Sequence, residues 1–176
     1  MKKKTMLELG RMSPEEFSHA VKIPLTVVLD DVRSELNMGS ILRTADAFAI
    51  ERVVMCGITG KPPSHEIHKT ALGAEDSVAW TYCPSALEAV EALKRDGYHV
   101  AAVEQVHGSV SLEQVTTPPA ARVALVLGNE VKGVAQEVVD ACHSCLELPQ
   151  CGTKHSLNVA CTAAIVMWHF FNLLRS

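Results

Sequence analysis

The sequence predicts a three-layer α/β/α domain on a mostly parallel β-sheet. Three observations carry that prediction. β-rich apolar runs alternate with stretches of helical spacing along the chain. The first of those runs is rich in apolar and β-branched residues, as in a strand covered on both faces. The chain has 176 residues, 48% of them hydrophobic, enough for one domain with its own core and too apolar for disorder.

Taken in order, Leu25, Thr26, Val27, Val28 and Leu29 form the first strand, ending at Asp30 and Asp31. Residues 40–50 follow as a helix, with Ile41, Leu42, Ala45 and Phe48 on one face. Residues 52–56 make a second strand stopped by Gly57. A loop containing prolines covers 60–64, a short helix 66–72, and a strand 77–83. Ser85 with Glu88 is a capping box for a helix that Gly97 closes. Two more strands, 98–103 and 122–127, are separated by a polar stretch ending at Pro118 and Pro119. A helix at 134–142, a short strand at 145–148 and a long helix from about 156 to 174 complete the chain. Residues 1–24 are expected to be an appendage to the domain at 25–176. Ser13-Pro14-Glu15-Glu16 is a capping-box start for a short helix within it.

Composition limits the function. A net charge of −4 gives no general attraction to nucleic acid, so any RNA contact must use local groups such as Lys2, Lys3, Lys4, Arg11 and Lys22. The basic start is not followed by an apolar run, so no secretory leader is expected. Six cysteines scattered through apolar segments of a chain this size read as reduced thiols, which places the protein in the cytoplasm. From His155 to Leu174 there is no acidic residue, Lys or Arg. Ser156, Asn158, Thr162, His169 and Asn172 interrupt that run and would be costly in lipid, so no membrane partner is expected. A helix apolar nearly all round is better explained by sheet on one face and a second copy of the chain on the other, a homodimer.

Three loops carry polar residues that a core does not require, and parallel α/β sheets bind ligands at such strand ends. Asn37-Met38-Gly39-Ser40 opens the first helix, where Asn37 or Ser40 can cap, and Arg43 sits one turn in, against the helix dipole. The alternative for Arg43 is a surface pair with Asp46 or Glu51. Gly128-Asn129-Glu130 with Gly133 is the second loop, which could equally be an ordinary strand-to-helix turn. The third runs from Leu148 to Asn158, where Ser156 is expected to cap the last helix. The residues also bear on two other chemistries. No G-x-G-x-x-G follows the first strand, which argues against a dinucleotide site. Cys142-x-x-Cys145 with Cys151 and His155 has the ingredients of a zinc site, but both cysteines sit where a helix end and a strand start face the core. No metal is therefore expected.

Together and in this order, Asn37-x-Gly39-x-x-x-Arg43-Thr44-Ala45, Leu127-Gly128-Asn129-Glu130 with Gly133, and Leu148-Pro149 followed by Ser156-Leu157-Asn158-Val159-Ala160 resemble the three signature motifs of the SpoU-type (TrmH family) RNA methyltransferases of the SPOUT superfamily. Lys69-Thr70-Ala71-Leu72-Gly73-Ala74-Glu75 is similar to the segment between the first two motifs. The resemblance implies a C-terminal deep trefoil knot, an exception to the rule against threaded chains. It implies 2′-O-methylation of ribose in RNA, tRNA favoured over rRNA, with S-adenosylmethionine as cofactor and a dimer joined through the C-terminal helices. Val103, Glu104, Gly128, Leu148, Ser156 and Leu157 are the positions it assigns to cofactor binding. Arg43, Asn37, Glu130, Ser156 and Asn158 are those it assigns to catalysis. Arg43 would grip the phosphate beside the target ribose, Asn37 and Glu130 would orient it, and Ser156 and Asn158 would orient ribose or cofactor. The short chain is expected to lack a separate RNA-binding domain. The alternative is a non-catalytic RNA-binding or assembly protein on the same fold.

Overall fold

A computed structural model describes residues 1–5 and 7–175; Met6 in the arm and Ser176 at the end of the domain lie outside the described residues. Seven strands form one sheet: β1 (Ile23–Asp30), β2 (Ile50–Cys56), β3 (Trp80–Cys83), β4 (His99–Val103), β5 (Val110–Ser111), β6 (Val123–Leu127) and β7 (Ser144–Glu147). Their order is β3-β2-β1-β6-β4-β7-β5, and all pairings of the named strands are parallel. The helices are α1 (Pro14–His19), α2 (Glu35–Ala47), α3 (His65–Ala71), α4 (Ala74–Ser77), α5 (Ala86–Arg95), α6 (Gln136–Ala141) and α7 (Val159–Leu174).

Strand alternation builds the layers. On β1, Leu25, Val27 and Leu29 point to the core shared with α2, α3 and α7, whereas Val28 points to the core shared with α5 and α6. That is the expected α/β/α sandwich. A fully buried Leu, Ile or Val contributes roughly 1.5–3 kcal/mol, so these two cores carry the stability of the domain. The direction of strand progression reverses at β1, with β6 and β4 placed on its far side from β2. Such a switch leaves a crevice beyond the strand ends.

Local details differ from the sequence reading where two candidate caps compete. α2 opens at Glu35, with Ser34 Oγ accepting from the Asn37 N–H at 3.3 Å, instead of at Asn37 or Ser40. Ser40 lies inside the helix and turns its hydroxyl back to the Leu36 carbonyl. Arg43 is therefore two turns in, not one. α7 is capped by Asn158, whose Oδ1 accepts from the N–H groups of Ala160 and Cys161, and not by Ser156. The strand expected at 77–83 starts at Trp80, because Ser77 closes α4 by bonding to Asp46 and to the Ala74 carbonyl. Gly39 faces α3. A Cβ there would lie 2.2 Å from the Ile67 carbonyl oxygen, so only glycine lets these helices touch. Among the described residues, no helix is long and apolar enough to cross a membrane.

Candidate functional site

β4, β6 and β7 end side by side, and the chain leaves each of them into a loop instead of a further paired segment. Beyond these ends lies a cavity of about 480 Å³. Val103, Leu127 and Leu146 give it an apolar floor, and residues 128–133, Leu148 and 155–158 form its walls. All six residues expected at a cofactor site line it: Val103, Glu104, Gly128, Leu148, Ser156 and Leu157. Glu130 and Asn158 line it as well.

The loop after β6 owes its shape to side chains buried against it. Glu104 spends both carboxylate oxygens on backbone, Oε2 accepting from the Val134 N–H at 2.9 Å and Oε1 from the Gln105 N–H at 2.9 Å. Gly133 sits at φ +69° with Glu104 where its Cβ would be, so the motif glycine is needed twice, for conformation and for contact. Asn129 is the hub that the sequence reading did not single out. Its Oδ1 accepts from the Val131 and Lys132 N–H groups, and its Nδ2 donates to the Asp31 carbonyl at 2.7 Å. The available signal was an asparagine directly after a strand-ending glycine, a common turn builder.

Hydrogen bonds join all three motif loops. Glu130 accepts from the N–H groups of Arg33 (3.1 Å) and Ser34 (3.0 Å) and from Asn37 Nδ2 (3.2 Å). Asn37 Oδ1 accepts in turn from Asn158 Nδ2 at 3.1 Å. Burial works against the Glu130 carboxylate, yet the Arg33 and Ser34 amides and Asn37 together hold it below the usual carboxylate range. Asn37 thus reaches the cavity only through Glu130 and Asn158.

Arg43 is placed differently. It lies on the exposed side of α2, outside the cavity, and among the described residues it forms no ion pair or hydrogen bond. Neither alternative partner takes it. Asp46 accepts from Ser77, and Glu51 pairs with Arg122 at 3.0 Å. On α7, Ile165 and Trp168 are exposed. Trp168 and Phe171 pack on Phe48 at the end of α2, with ring centroids 5.5 and 5.3 Å away. Cys142 and Cys145 are half-buried thiols; burial pushes Cys142 up to about 12.

The sequence profile of the SpoU rRNA Methylase family matches residues 24–168. The chain belongs to this family. A Staphylococcus haemolyticus protein named for the TrmH family of tRNA/rRNA methyltransferases is 28% identical over 145 residues, which are 82% of this chain and 57% of that protein. The chain spans 57% to 59% of the length of such curated relatives. An rRNA methyltransferase from Sinorhizobium meliloti, solved with AdoMet bound, superposes with a TM-score of 0.79 at 28% identity, over 94% of this chain and 62% of that one. The A. aeolicus TrmH/SpoU tRNA modifying enzyme superposes with a TM-score of 0.79 at 25% identity, over 91% and 80%.

Proposed function

We propose that the chain is a cytoplasmic RNA ribose 2′-O-methyltransferase that uses S-adenosylmethionine, acts as a homodimer and modifies a structured RNA, tRNA in preference to rRNA. The observation that supports this reading best is the cavity at the strand ends, with Glu130, Asn37 and Asn158 bonded in series beside it. Its size lies within the roughly 300–1,000 Å³ of small-molecule sites. Its lining suits an adenosyl group: apolar side chains at Val103, Leu127, Leu146 and Leu148 for the flat ring, and backbone groups of the surrounding loops for its edge. Ser156 and Asn158, both in the lining, would meet the polar amino-acid end. When bound, S-adenosylmethionine supplies a methyl group on a sulfonium, open to attack in line by an oxygen.

The chain's own residues must then place the ribose and let its 2′-hydroxyl pass its proton to the neighbouring phosphate as the oxygen takes the methyl group. Positioning alone is worth roughly 7–11 kcal/mol when the reacting atoms are held about 3–3.5 Å apart. Arg43, which no acid neutralises among the described residues, is available to hold a phosphate by a bidentate fork. It lies outside the cavity of its own chain, whose last helix, α7, carries an exposed apolar stripe at Ile165 and Trp168. Packing that stripe on a second copy would bring Arg43 toward the partner's cavity. The chain also returns from β7, next to one sheet edge, to place α7 on α2 and β1. A trefoil threading would carry this return over the ends of β4 and β6.

Transfer of radiolabel from methyl-labelled S-adenosylmethionine into bulk RNA tests the reading. Nuclease digestion should release the label as a 2′-O-methylated nucleoside. Mass spectrometry of nucleosides from tRNA and rRNA, with and without the protein in cells, then identifies the target. RNA binding without label transfer would mean a non-catalytic RNA-binding protein instead.

A further inference from the structure

A second cavity, also about 480 Å³, lies on the other side of the loop after β6. Asn129, Val131, Lys132 and Gly133 form a common wall between the two cavities. The remaining lining comes from the ends of β1 and β2: Asp30, Asp31, Arg33 and Ile58, with Ala135 closing the side. The methyl-transfer geometry uses backbone groups of Asp31 and Arg33 but none of the side chains of Asp30, Asp31, Arg33 and Ile58.

The backbone at this place is held in an unusual form. Asp31 has φ +54°, a conformation that aspartate reaches more readily than most residues but that still costs energy. Four hydrogen bonds hold the surroundings. The Asp31 carbonyl accepts from Asn129, Asp31 Oδ1 accepts from the Ile58 N–H at 2.9 Å, and buried Thr59 accepts from the Val32 N–H while donating to the Leu29 carbonyl. Asp31 Oδ2 accepts no hydrogen bond among the described residues. Asp30, 7% exposed, bonds the Ala135 N–H through Oδ2 at 3.0 Å; burial above all, then the nearby Asp31, raises its pKa.

The chemistry of the walls divides by type. The floor is anionic and accepts hydrogen bonds. Ile58 and Val131, 67% and 82% exposed, offer apolar faces to a flat ring. Arg33 and Lys132 are exposed cations at the rim. Beyond Ile58, Lys61 lies over the exposed Tyr82 ring, 4.1 Å from its centroid, so the cationic rim continues onto an aromatic. An anion alone would be repelled by the floor. An unpaired nucleotide has the matching pattern: a flat ring, an amine-bearing edge and flanking phosphates.

We propose that this second cavity receives an unpaired nucleobase of the RNA substrate and selects one with an exocyclic amine, which donates to the Asp31 carboxylate while Arg33 and Lys132 hold the flanking phosphates. This deepens the ribose-methyltransferase reading and rests on it. A base seated there is one loop's width from the cofactor cavity, and Asn129 ties the two by holding Asp31 and the common wall together. Uracil offers a carbonyl where cytosine offers an amine, so the two are discriminated by Asp31.

Titration of the full chain with the pentaribonucleotides UUCUU and UUUUU tests this. UUCUU should bind about five- to a hundredfold more tightly. Asp31→Asn keeps an acceptor for the Ile58 N–H and tolerates the positive φ, and it should reduce or invert that preference, because the amide then offers a donor to the uracil carbonyl. Irradiation of UUCUU carrying 5-bromocytidine at its centre should crosslink to the peptides of Ile58 or Val131, a readout that does not depend on the variant folding. Equal affinity for both oligomers, or a crosslink elsewhere, overturns the proposal. So does CMP binding as tightly as UUCUU, which would indicate a free nucleotide as the ligand. Label transfer into bulk RNA separates the two levels. Transfer without base preference removes the pocket and keeps the enzyme, whereas base preference without transfer keeps the pocket as an RNA-binding site and removes the enzyme.

Discussion

Glu130 illustrates how one side chain can set a site. Its oxygens collect two backbone N–H groups and an amide from the start of α2, and the ionised form is the one that accepts them. Its pKa in the fold is below the unfolded value of about 4.3, so the ionised group stabilises the fold above that pH, and the stabilisation is lost as pH falls through the lower folded value. Glu130→Gln should therefore lower stability at pH 7, measured by urea unfolding, and the gap to the native protein should close below about pH 4. A gap unchanged with pH would assign the loss to packing. Arg43 is proposed to act by its fork rather than its charge. Arg43→Ala should abolish methyl transfer with cofactor affinity within a few-fold of native, and Arg43→Lys should be nearly as inactive. Normal turnover at saturating cofactor, with weakened cofactor binding, would contradict that role. At this scale the sequence exposed residue types but not their partners. Asn37, Glu130 and Asn158 were legible as polar residues without a core purpose. That they bond one another across 93 and 121 positions was not.

Elements were legible where hydrophobic period and punctuation agree, as in β1, β6 and α5, and less so at ends where several residues can cap. α7 is the clearest case. Ser156 and Asn158 both suit an N-cap by type, and the structure uses Asn158 because its carboxamide can also donate to Asn37. Asn158→Ala should cost about 0.5–2 kcal/mol of stability. Ser156→Ala should stay within about 0.5 kcal/mol, since Ser156 is exposed and away from the cap. Denaturant midpoints of the two variants check this, and a larger loss at Ser156 would reassign the cap. The two-residue β5 escaped detection because a strand that short has no readable period; its pairing to β7 makes it a strand. Gly39 was noticed as a glycine, but its contact on α3 depends on a helix nearly thirty positions later in the chain.

For the whole molecule, the exposed Ile165 and Trp168 on α7, backed by Phe48 and Phe171, form the surface best suited to a second copy. Trp168→Glu should convert the proposed dimer to monomer in sedimentation and reduce methyl transfer at enzyme concentrations where the native protein is dimeric. A monomeric variant with full activity would show that Arg43 does not serve the partner's cavity. RNA affinity, carried by local cations on a chain of net charge −4, should still fall steeply with added salt in filter-binding measurements. A flat response would exclude phosphate contacts as its main source.

The sequence by itself determined the layer arrangement and the three motif loops. Both are written in short-range features: apolar period, turn residues, and strings of fixed spacing. Only the tertiary structure decided which strand ends adjoin, that a second cavity shares a wall with the first, and that Arg43 stands apart from its own chain's cavity. Those relations depend on strand order and on hydrogen bonds between distant residues. A parallel sheet can place β6 between β1 and β4 with no local pattern in the sequence recording the choice.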